Sequence, residues 1–483
     1  LCVYLAALAA ALAATPAVIR LSWRLRVLDR PGLRKVHSRP IPRLGGLAIA
    51  AAALGATAVV IFLDNAIGAE LRRNGRELAG LLAGACLMLA VGLWDDLRGL
   101  RPGVKLLGQI ISALLVCAAG AKMDVITIGR LATIHLGWLS WPLTVLWIVG
   151  VTNALNLIDG LDGLAAGISA VACGVIAAFA LASGQVLMAV LMLGMLGSLC
   201  GFLVFNFNPA RIFMGDGGTY FLGFVLGSGS VVCASKTATL VGLTLPALAL
   251  GLPIFDTLFS MLRRFAERRS IFSPDRGHIH HRLLAMGLNH RRAVILLYAV
   301  TVTAASLGLC MLMMHGGSAL LAFACEIVLV TLVFRAVGLF NVRKTLAAIR
   351  RNWGIARQQR SELRTFEKAE LMLRETGTFD QWWSAACSAA EELGFDSISM
   401  AVRNRDGSQR ILSWQRETLA ADVRETVLLS LPVRDRRSGP PLRAYLNAPA
   451  EGNLESVGRR SALLGRIFDE HSPADLPDAR KAG

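Results

Sequence analysis

The side chains best suited to chemistry in this 483-residue chain are carboxylates, amides, imidazoles and cations, gathered into short segments between long apolar runs. Asp95 and Asp96 end one such run in Val-Gly-Leu-Trp-Asp-Asp-Leu-Arg. Adjacent carboxylates repel each other, and a divalent cation or a basic partner relieves that repulsion. A second segment, Asn-Ala-Leu-Asn-Leu-Ile-Asp-Gly-Leu-Asp-Gly, spaces Asn153, Asn156 and Asp159 three residues apart, with Asp162 just beyond. At a helix end that spacing puts the groups on neighbouring faces. No Lys or Arg stands among them, so they need a cation or a polar ligand, and polar groups inside apolar sequence are expensive without a role. A third segment, Asn-Phe-Asn-Pro-Ala-Arg-Ile-Phe-Met-Gly-Asp-Gly-Gly-Thr, sets Asp216 between glycines. Backbone without side chains approaches a phosphate or metal closely. Arg211 can contact phosphate there, and Phe213 can stack on a base.

Two basic segments complement the acids. His278, His280 and His281 stand within four positions, near Arg276, in Ser-Pro-Asp-Arg-Gly-His-Ile-His-His-Arg. Such a cluster suits anion binding or proton handling near neutral pH. It lacks the thiolates or helical His pair of a zinc site. Lys35 and Arg43 lie among rigid prolines in Arg-Lys-Val-His-Ser-Arg-Pro-Ile-Pro-Arg-Leu-Gly-Gly, an arrangement able to hold a phosphate, and Lys105 is another candidate contact. Each segment also has a plainer reading, as a solvated helix end, a cap, a turn or a topogenic basic loop. Asp256 reads as a cap or brace of an apolar segment. Taken together, the groups form the inventory of Mg²⁺-assisted phosphoryl transfer.

These groups must be positioned by membrane helices. Hydrophobic residues make up 54% of the chain and charged residues 17%, against roughly 25% charged in soluble domains. An ordinary soluble enzyme is excluded. Residues 163–210 contain no Asp, Glu, Lys or Arg over 48 positions, and 131–158 and 293–325 contain none over 28 and 33. A crossing needs about 20 apolar residues, so long runs hold more than one. Breaking them at charges and turns gives eleven candidate spans, near 1–20, 44–63, 78–94, 104–121, 138–155, 163–183, 186–205, 219–235, 238–260, 293–314 and 318–340. The first reads as an anchor rather than a removed signal. Threaded alternately, one set of loops holds 20 Lys and Arg and the other holds 6. The positive-inside rule puts the basic set, with the five motifs, in the cytosol, the N-terminus outside and the C-terminus inside. The net charge of +17 is then topogenic, and no nucleic-acid partner is expected. None of the nine Cys forms a CxxC pair, and all but Cys387 read as small hydrophobes in or beside apolar runs.

The chain past residue 340 changes character. Residues 341–376 read as a charged connecting helix and 377–472 as a small cytosolic α+β domain. That domain has helices near 379–393 and 454–470 and strand-like runs at 397–403, 410–415, 425–433 and 442–446. A turn at 405–408 carries a hairpin signal, and 473–483 read as a disordered tail. The expected fold is an all-α polytopic membrane protein of about eleven transmembrane helices, 1–340, followed by this domain. An ion-coupled transporter is the rival from another class, since membrane-embedded Asp and Asn also suit ion coupling.

The Asp-Asp, Asn-x-x-Asn-x-x-Asp-Gly-x-Asp-Gly and His-Ile-His-His motifs, in this order, resemble those of the polyprenyl-phosphate N-acetylhexosamine-1-phosphate transferases. The resemblance covers about residues 1–340. It implies transfer of a sugar 1-phosphate from a UDP-sugar to a lipid phosphate with release of UMP. The His-Ile-His-His form resembles the branch that uses UDP-GlcNAc and undecaprenyl phosphate to start O-antigen, common antigen or similar glycans; another UDP-N-acetylhexosamine is the alternative. The resemblance further implies a bacterial inner-membrane location and assigns Asp95 and Asp96 to the prenyl phosphate. It gives Asn156, Asp159 and Asp162 to the nucleotide sugar and metal, Asp216 to Mg²⁺ (Mn²⁺ being the alternative ion), Lys35 and Lys105 to phosphate, and His278, His280 and His281 to the nucleotide-sugar phosphates. Asp159 joins the Asp pair as a catalytic candidate. Asn153, Arg43, Arg211, Phe213 and Arg276 complete the substrate-binding set, and a homodimer is left open. The domain after 345 is an addition, loosely similar to a GAF-like module.

Overall fold

A computed structural model describes residues 1–31, 39–128, 132–237, 249–266, 278–313, 317–337, 342–403, 409–416, 426–433, 442–449 and 454–473. The chain divides into two compact units, Leu1–Thr345 and Leu346–Gly483.

The first unit is a helical bundle. Its long helices are α1 (Cys2–Arg24), α2 (Gly45–Phe62), α4 (Gly75–Arg98), α6 (Ser140–Ile158), α7 (Leu164–Ala182), α8 (Val186–Asn206), α9 (Gly215–Thr237), α12 (His290–Met313) and α13 (Gly317–Ala336). Shorter helices are α3 (Ala66–Arg73), α5 (Pro102–Ala118), α10 (Gly251–Ala266) and α11 (Ile279–Ala285). Small antiparallel pairs join Leu28–Asp29 (β1) to Ile41–Pro42 (β2), and Val125–Ile128 (β3) to Ala132–His135 (β4).

Eight helices among the described residues are long and apolar enough to cross a membrane. Pro102–Ala118 is a shorter apolar helix, the side chains of α13 are described only in part, and the expected span near 238–260 starts outside the described residues. Eight of the eleven expected spans are thus found among the described residues. Of the remaining three, α5 has only 17 residues, or about 25 Å at 1.5 Å per residue, against a hydrocarbon core about 30 Å thick.

Helix α9 sits at the centre. It packs on α2, α4 and α6, and 94% of its apolar window is buried inside the protein. By contrast Phe62, Leu146, Leu181 and Val204 are exposed, as expected of side chains that face lipid. Hydroxyls buried in this apolar setting fold back on their own helices. Thr57 donates to the Ala53 carbonyl, Thr152 to Ile148 and Thr301 to Leu297, so these three donors are satisfied without water. Cross-helix polar contacts add specificity: Trp147 Nε1 donates to Ser230 Oγ at 2.7 Å, and Gln109 and Asn153 pair amide to amide.

In the second unit α14 (Val342–Arg374, entering from the first unit), α15 (Phe379–Glu392) and α16 (Leu454–Glu470) accompany strands β5 (Ser397–Arg403), β6 (Gln409–Gln415), β7 (Thr426–Val433) and β8 (Leu442–Pro449). The antiparallel sheet runs β6-β5-β8-β7. Ile398, Met400, Ala444 and Leu446 alternate into a core with Trp382, Phe395 and Phe468, the period-2 burial of a sheet covered on one face. Thr378 and Gln381 form a capping box that starts α15. The expected turn at 405–408 and residues 474–483 of the expected tail lie outside the described residues.

Candidate active site

Helix ends bring the acidic groups together. Asp96, at the end of α4, accepts from the backbone N–H of Asp216 at 3.0 Å and of Gly217 at 2.9 Å. It thereby caps the first turn of α9, where unpaired amides and the helix dipole favour negative charge. Its side chain is fully enclosed and pairs with Arg43 Nε at 2.9 Å. The approach of α4 to α9 needs Gly92, because a Cβ there would lie 2.4 Å from the Asp216 carbonyl oxygen. Asp95 accepts from the Leu100 N–H at 2.7 Å and contacts Lys105 Nζ. The carboxyls of Asp95 and Asp216 are close enough to act on each other electrostatically. Arg43 Nη2 stands 3.5 Å, and Lys105 Nζ 4.0 Å, from Asp216 Oδ2.

A cavity of about 950 Å³ opens beside this cluster. Its wall includes Arg43, Asn156, Asp159, Asp162, Arg211, Phe213, Asp216 and His281 from the sequence-derived set. The turn after α6 is tied to the loop before α9: Asp162 Oδ2 accepts from Asn208 Nδ2 at 2.8 Å and from the Ala210 N–H at 3.1 Å. Thr219 Oγ1 donates to Asn156 at 2.6 Å. The segment entering α2 pairs with the same loop, Phe213 N–H donating to the Pro42 carbonyl and Gly45 and Gly46 N–H to those of Phe213 and Met214. Segments more than a hundred residues apart thus close around one space.

Its electrostatics are unbalanced. Burial raises the Asp159 carboxyl to about 7, the negative charge of Asp96 adds to this, and Arg43 opposes it. Burial disfavours the Arg43 cation, but Asp96, Asp216, Asp29 and Asp95 outweigh that and raise its pKa. Asp95, Asp96, Asp159 and Asp216 outnumber Arg43 and Lys105, and Asp216 Oδ2 has only long contacts with those two cations. An oxygen-only donor set with surplus negative charge fits a hard divalent cation. Asp216 and Asp159, both on the cavity wall, are the groups able to hold it.

The histidines separate. His278 and His280 are buried, and only His281 reaches the cavity wall. His278 Nδ1 lies 2.8 Å from Asp256 Oδ2, and the Ile279 N–H donates to Asp256 Oδ1 at 2.9 Å. Asp256 therefore holds this turn rather than capping its own helix. Burial, and then the neighbouring His281, His278 and His290 rings, lower His280 to about 3, so it is neutral at physiological pH.

Other expected residues also stand off the wall. Asn153 pairs with Gln109 on α5; Asp95, Asp96 and Lys105 lie behind Asp216 rather than on the wall. Lys35 and Arg276 lie outside the described residues. Trp23, Arg39 and His290 line the cavity although sequence reasoning did not select them. Arg39 stands within the basic segment that was noticed, whereas His290 carries no local signal. Arg291 Nε donates to the Asn208 carbonyl and Tyr298 to that of Gly163, so α12 also braces the site.

Known proteins resemble this chain in sequence. The glycosyl transferase family 4 profile matches residues 78–234. The chain is 43% identical over 298 residues to the probable undecaprenyl-phosphate N-acetylglucosaminyl 1-phosphate transferase of Bacillus subtilis, covering 62% of this chain and 80% of that protein. It is 37% identical over 311 residues to the decaprenyl-phosphate N-acetylglucosaminephosphotransferase of Mycobacterium tuberculosis H37Rv, covering 59% and 76%. To the phospho-N-acetylmuramoyl-pentapeptide-transferase of Desulforudis audaxviator it is 31% identical over 320 residues, covering 61% and 91%. With its apolar helices and these bacterial relatives, the chain is a multi-pass membrane protein and belongs to the polyprenyl-phosphate N-acetylhexosamine-1-phosphate transferase family.

Proposed function

We propose that this protein transfers GlcNAc-1-phosphate from UDP-GlcNAc to undecaprenyl phosphate, releasing UMP, at the cytosolic face of a bacterial inner membrane, as the first step of a surface glycan. The observation that carries the reading is the single cavity in which Asp159, Asp162, Asp216, Arg43, Arg211 and His281 meet. The names of the Bacillus and Mycobacterium relatives support the sugar and the lipid, and the 20-to-6 loop asymmetry supports the cytosolic side. Ion-coupled transport is not favoured, because the charged groups gather at helix ends and not midway along the helices.

An oxygen of the prenyl phosphate attacks the β-phosphorus of the UDP-sugar, a new P–O bond forms, and the bond to the UMP oxygen breaks. Arg43 is held between Asp96 and Asp216, ready to neutralise charge on the diphosphate. Lys105, against Asp95, does the same for the lipid phosphate. Both are fixed cations set against charge that develops on the phosphates, the preorganised stabilisation that lowers a barrier. Asp95, held against Lys105, would be the base for that lipid phosphate, although a phosphate monoester with a second pKa near 6 has mostly lost its proton at pH 7. Positioning then outweighs proton removal. Mg²⁺ held by Asp216 and Asp159 would supply Lewis-acid stabilisation of the charge on the departing UMP.

The test is incubation of purified protein with undecaprenyl phosphate and a panel of UDP-sugars, with and without a chelator, scoring UMP and lipid product. UDP-GlcNAc is expected to give both products and the chelator to abolish them. Turnover with a different UDP-N-acetylhexosamine alone would reassign the sugar. Undiminished turnover in chelator, or in Asp216→Asn, would remove the metal from the reading.

A further inference from the structure

Asp256 belongs to α10, none of whose described residues lines the cavity, yet it is almost completely buried, at 2% exposure. A carboxylate enclosed to that degree is costly unless its oxygens are partnered. Both are: Oδ2 faces His278 Nδ1 at 2.8 Å and Oδ1 accepts from the Ile279 N–H at 2.9 Å. An acceptor-only group matched to a backbone amide fixes the other contact as an imidazole N–H donor, so His278 carries its proton on Nδ1. Its ring is nearly parallel to that of His280, with centroids 5.9 Å apart, and the His280 and His281 centroids are 4.3 Å apart.

The far side of this stack rests on the acidic turn. A Cβ on Gly160 would lie 2.2 Å from His280 Nε2, so the ring docks directly on backbone next to Asp159. Only a residue without a side chain permits that approach. His280 is buried and neutral, which suits a spacer and not an anion ligand. Contact therefore runs from Asp256 through His278 and His280 to Gly160, and it leaves His281 on the cavity wall with Asp159.

We propose that Asp256 is a positioning residue for the nucleotide-sugar side of the site, acting through His278 to hold the histidine turn against Gly160 so that His281 faces the substrate. The proposal rests on the reading of the cavity given above. Two of the three motif histidines then serve as structure, and the third meets the ligand.

The experiment measures UMP release by the full chain in nanodiscs, varying UDP-GlcNAc and undecaprenyl phosphate separately. Asp256→Asn, which turns an amide N–H toward a donor, is expected to raise KM for UDP-GlcNAc at least tenfold and to leave KM for the lipid within twofold. His278→Asn keeps a donor for Asp256 and is expected to stay within threefold of wild type. His278→Leu removes that donor and is expected to match Asp256→Asn. An unchanged KM in Asp256→Asn overturns the proposal. So does His278→Asn as damaging as His278→Leu, because that result makes the imidazole itself a substrate contact. Should Asp256→Asn fail to fold, judged by its thermal unfolding, the two His278 variants decide the matter. A wild type that releases no UMP sinks the functional reading instead; the same proteins are then compared by calorimetric affinity for UDP, and equal affinity across them, or none, overturns the clamp.

Discussion

Replacing Asp96 by Asn tests how the acidic cluster is built. The carboxylate is fully enclosed and receives the Asp216 and Gly217 amides and Arg43 Nε, each at 2.9–3.0 Å. Asn retains one acceptor oxygen but turns an NH₂ toward a donor at the second position. Losing one charge-assisted hydrogen bond and stranding its buried partner costs roughly 2–3 kcal/mol. Arg43 is 35% exposed, so water screens that pair, and its share is discounted to about 1 kcal/mol or less. The expected loss is therefore about 3 kcal/mol of stability in the packing of α9 on α4. If the first turn of α9 moves by about 1 Å, Asp216 moves with it, and turnover should fall on the order of 100-fold. Asp96→Glu should not rescue, since the enclosed site has no room for a further methylene. The assays are thermal unfolding in detergent and UMP release on the same preparation. Wild-type unfolding together with wild-type turnover would refute the capping argument. Lost turnover with unchanged unfolding would show that Asp96 takes part in the chemistry and not in the placement of α9.

Further outcomes follow from single features. His280 has a folded pKa near 3, below its unfolded value of about 6.5, so its contribution is intact above pH 6.5 and lost as the unfolded state takes up a proton below it. At pH 5 that loss is about 2 kcal/mol. Asp159, raised to about 7, acts with the opposite sign, its protonated folded form being the favoured one and that advantage fading as pH rises toward 7. The His280 effect is therefore read as the difference in unfolding free energy between wild type and His280→Asn from pH 7 to pH 5; equal slopes would contradict it. Gly92→Ala places a methyl 2.4 Å from the Asp216 carbonyl oxygen and should cost about 1–3 kcal/mol by overpacking, seen as a lower unfolding temperature and reduced UMP release. A chain ending at Thr345, the boundary of the first unit, should keep its transferase turnover; complete loss in a folded, monodisperse preparation would tie catalysis to the second unit.

Much of this protein was legible from local pattern. Charge-free runs read as membrane helices because hydrocarbon excludes ionised groups over a whole span. The runs at 397–403 and 442–446 read as strands, and the structure extends the second to Pro449, with burial on one face repeating every second residue. The motif carboxylates stood out because polar groups are rare at the edges of such runs. Only tertiary structure decided what each group touches. Asp96 meets the amide of Asp216 across 120 residues, and Asp256 meets His278 across 22. Asn153, spaced like its neighbours, turned to Gln109 on another helix, and His290 joined the cavity with no motif around it. Periodicity and capping rules act within a few residues of chain, whereas the partner of a buried polar group is set by which helices pack together. The chemistry was thus written locally, and the division between groups that hold and groups that face the cavity arose from packing.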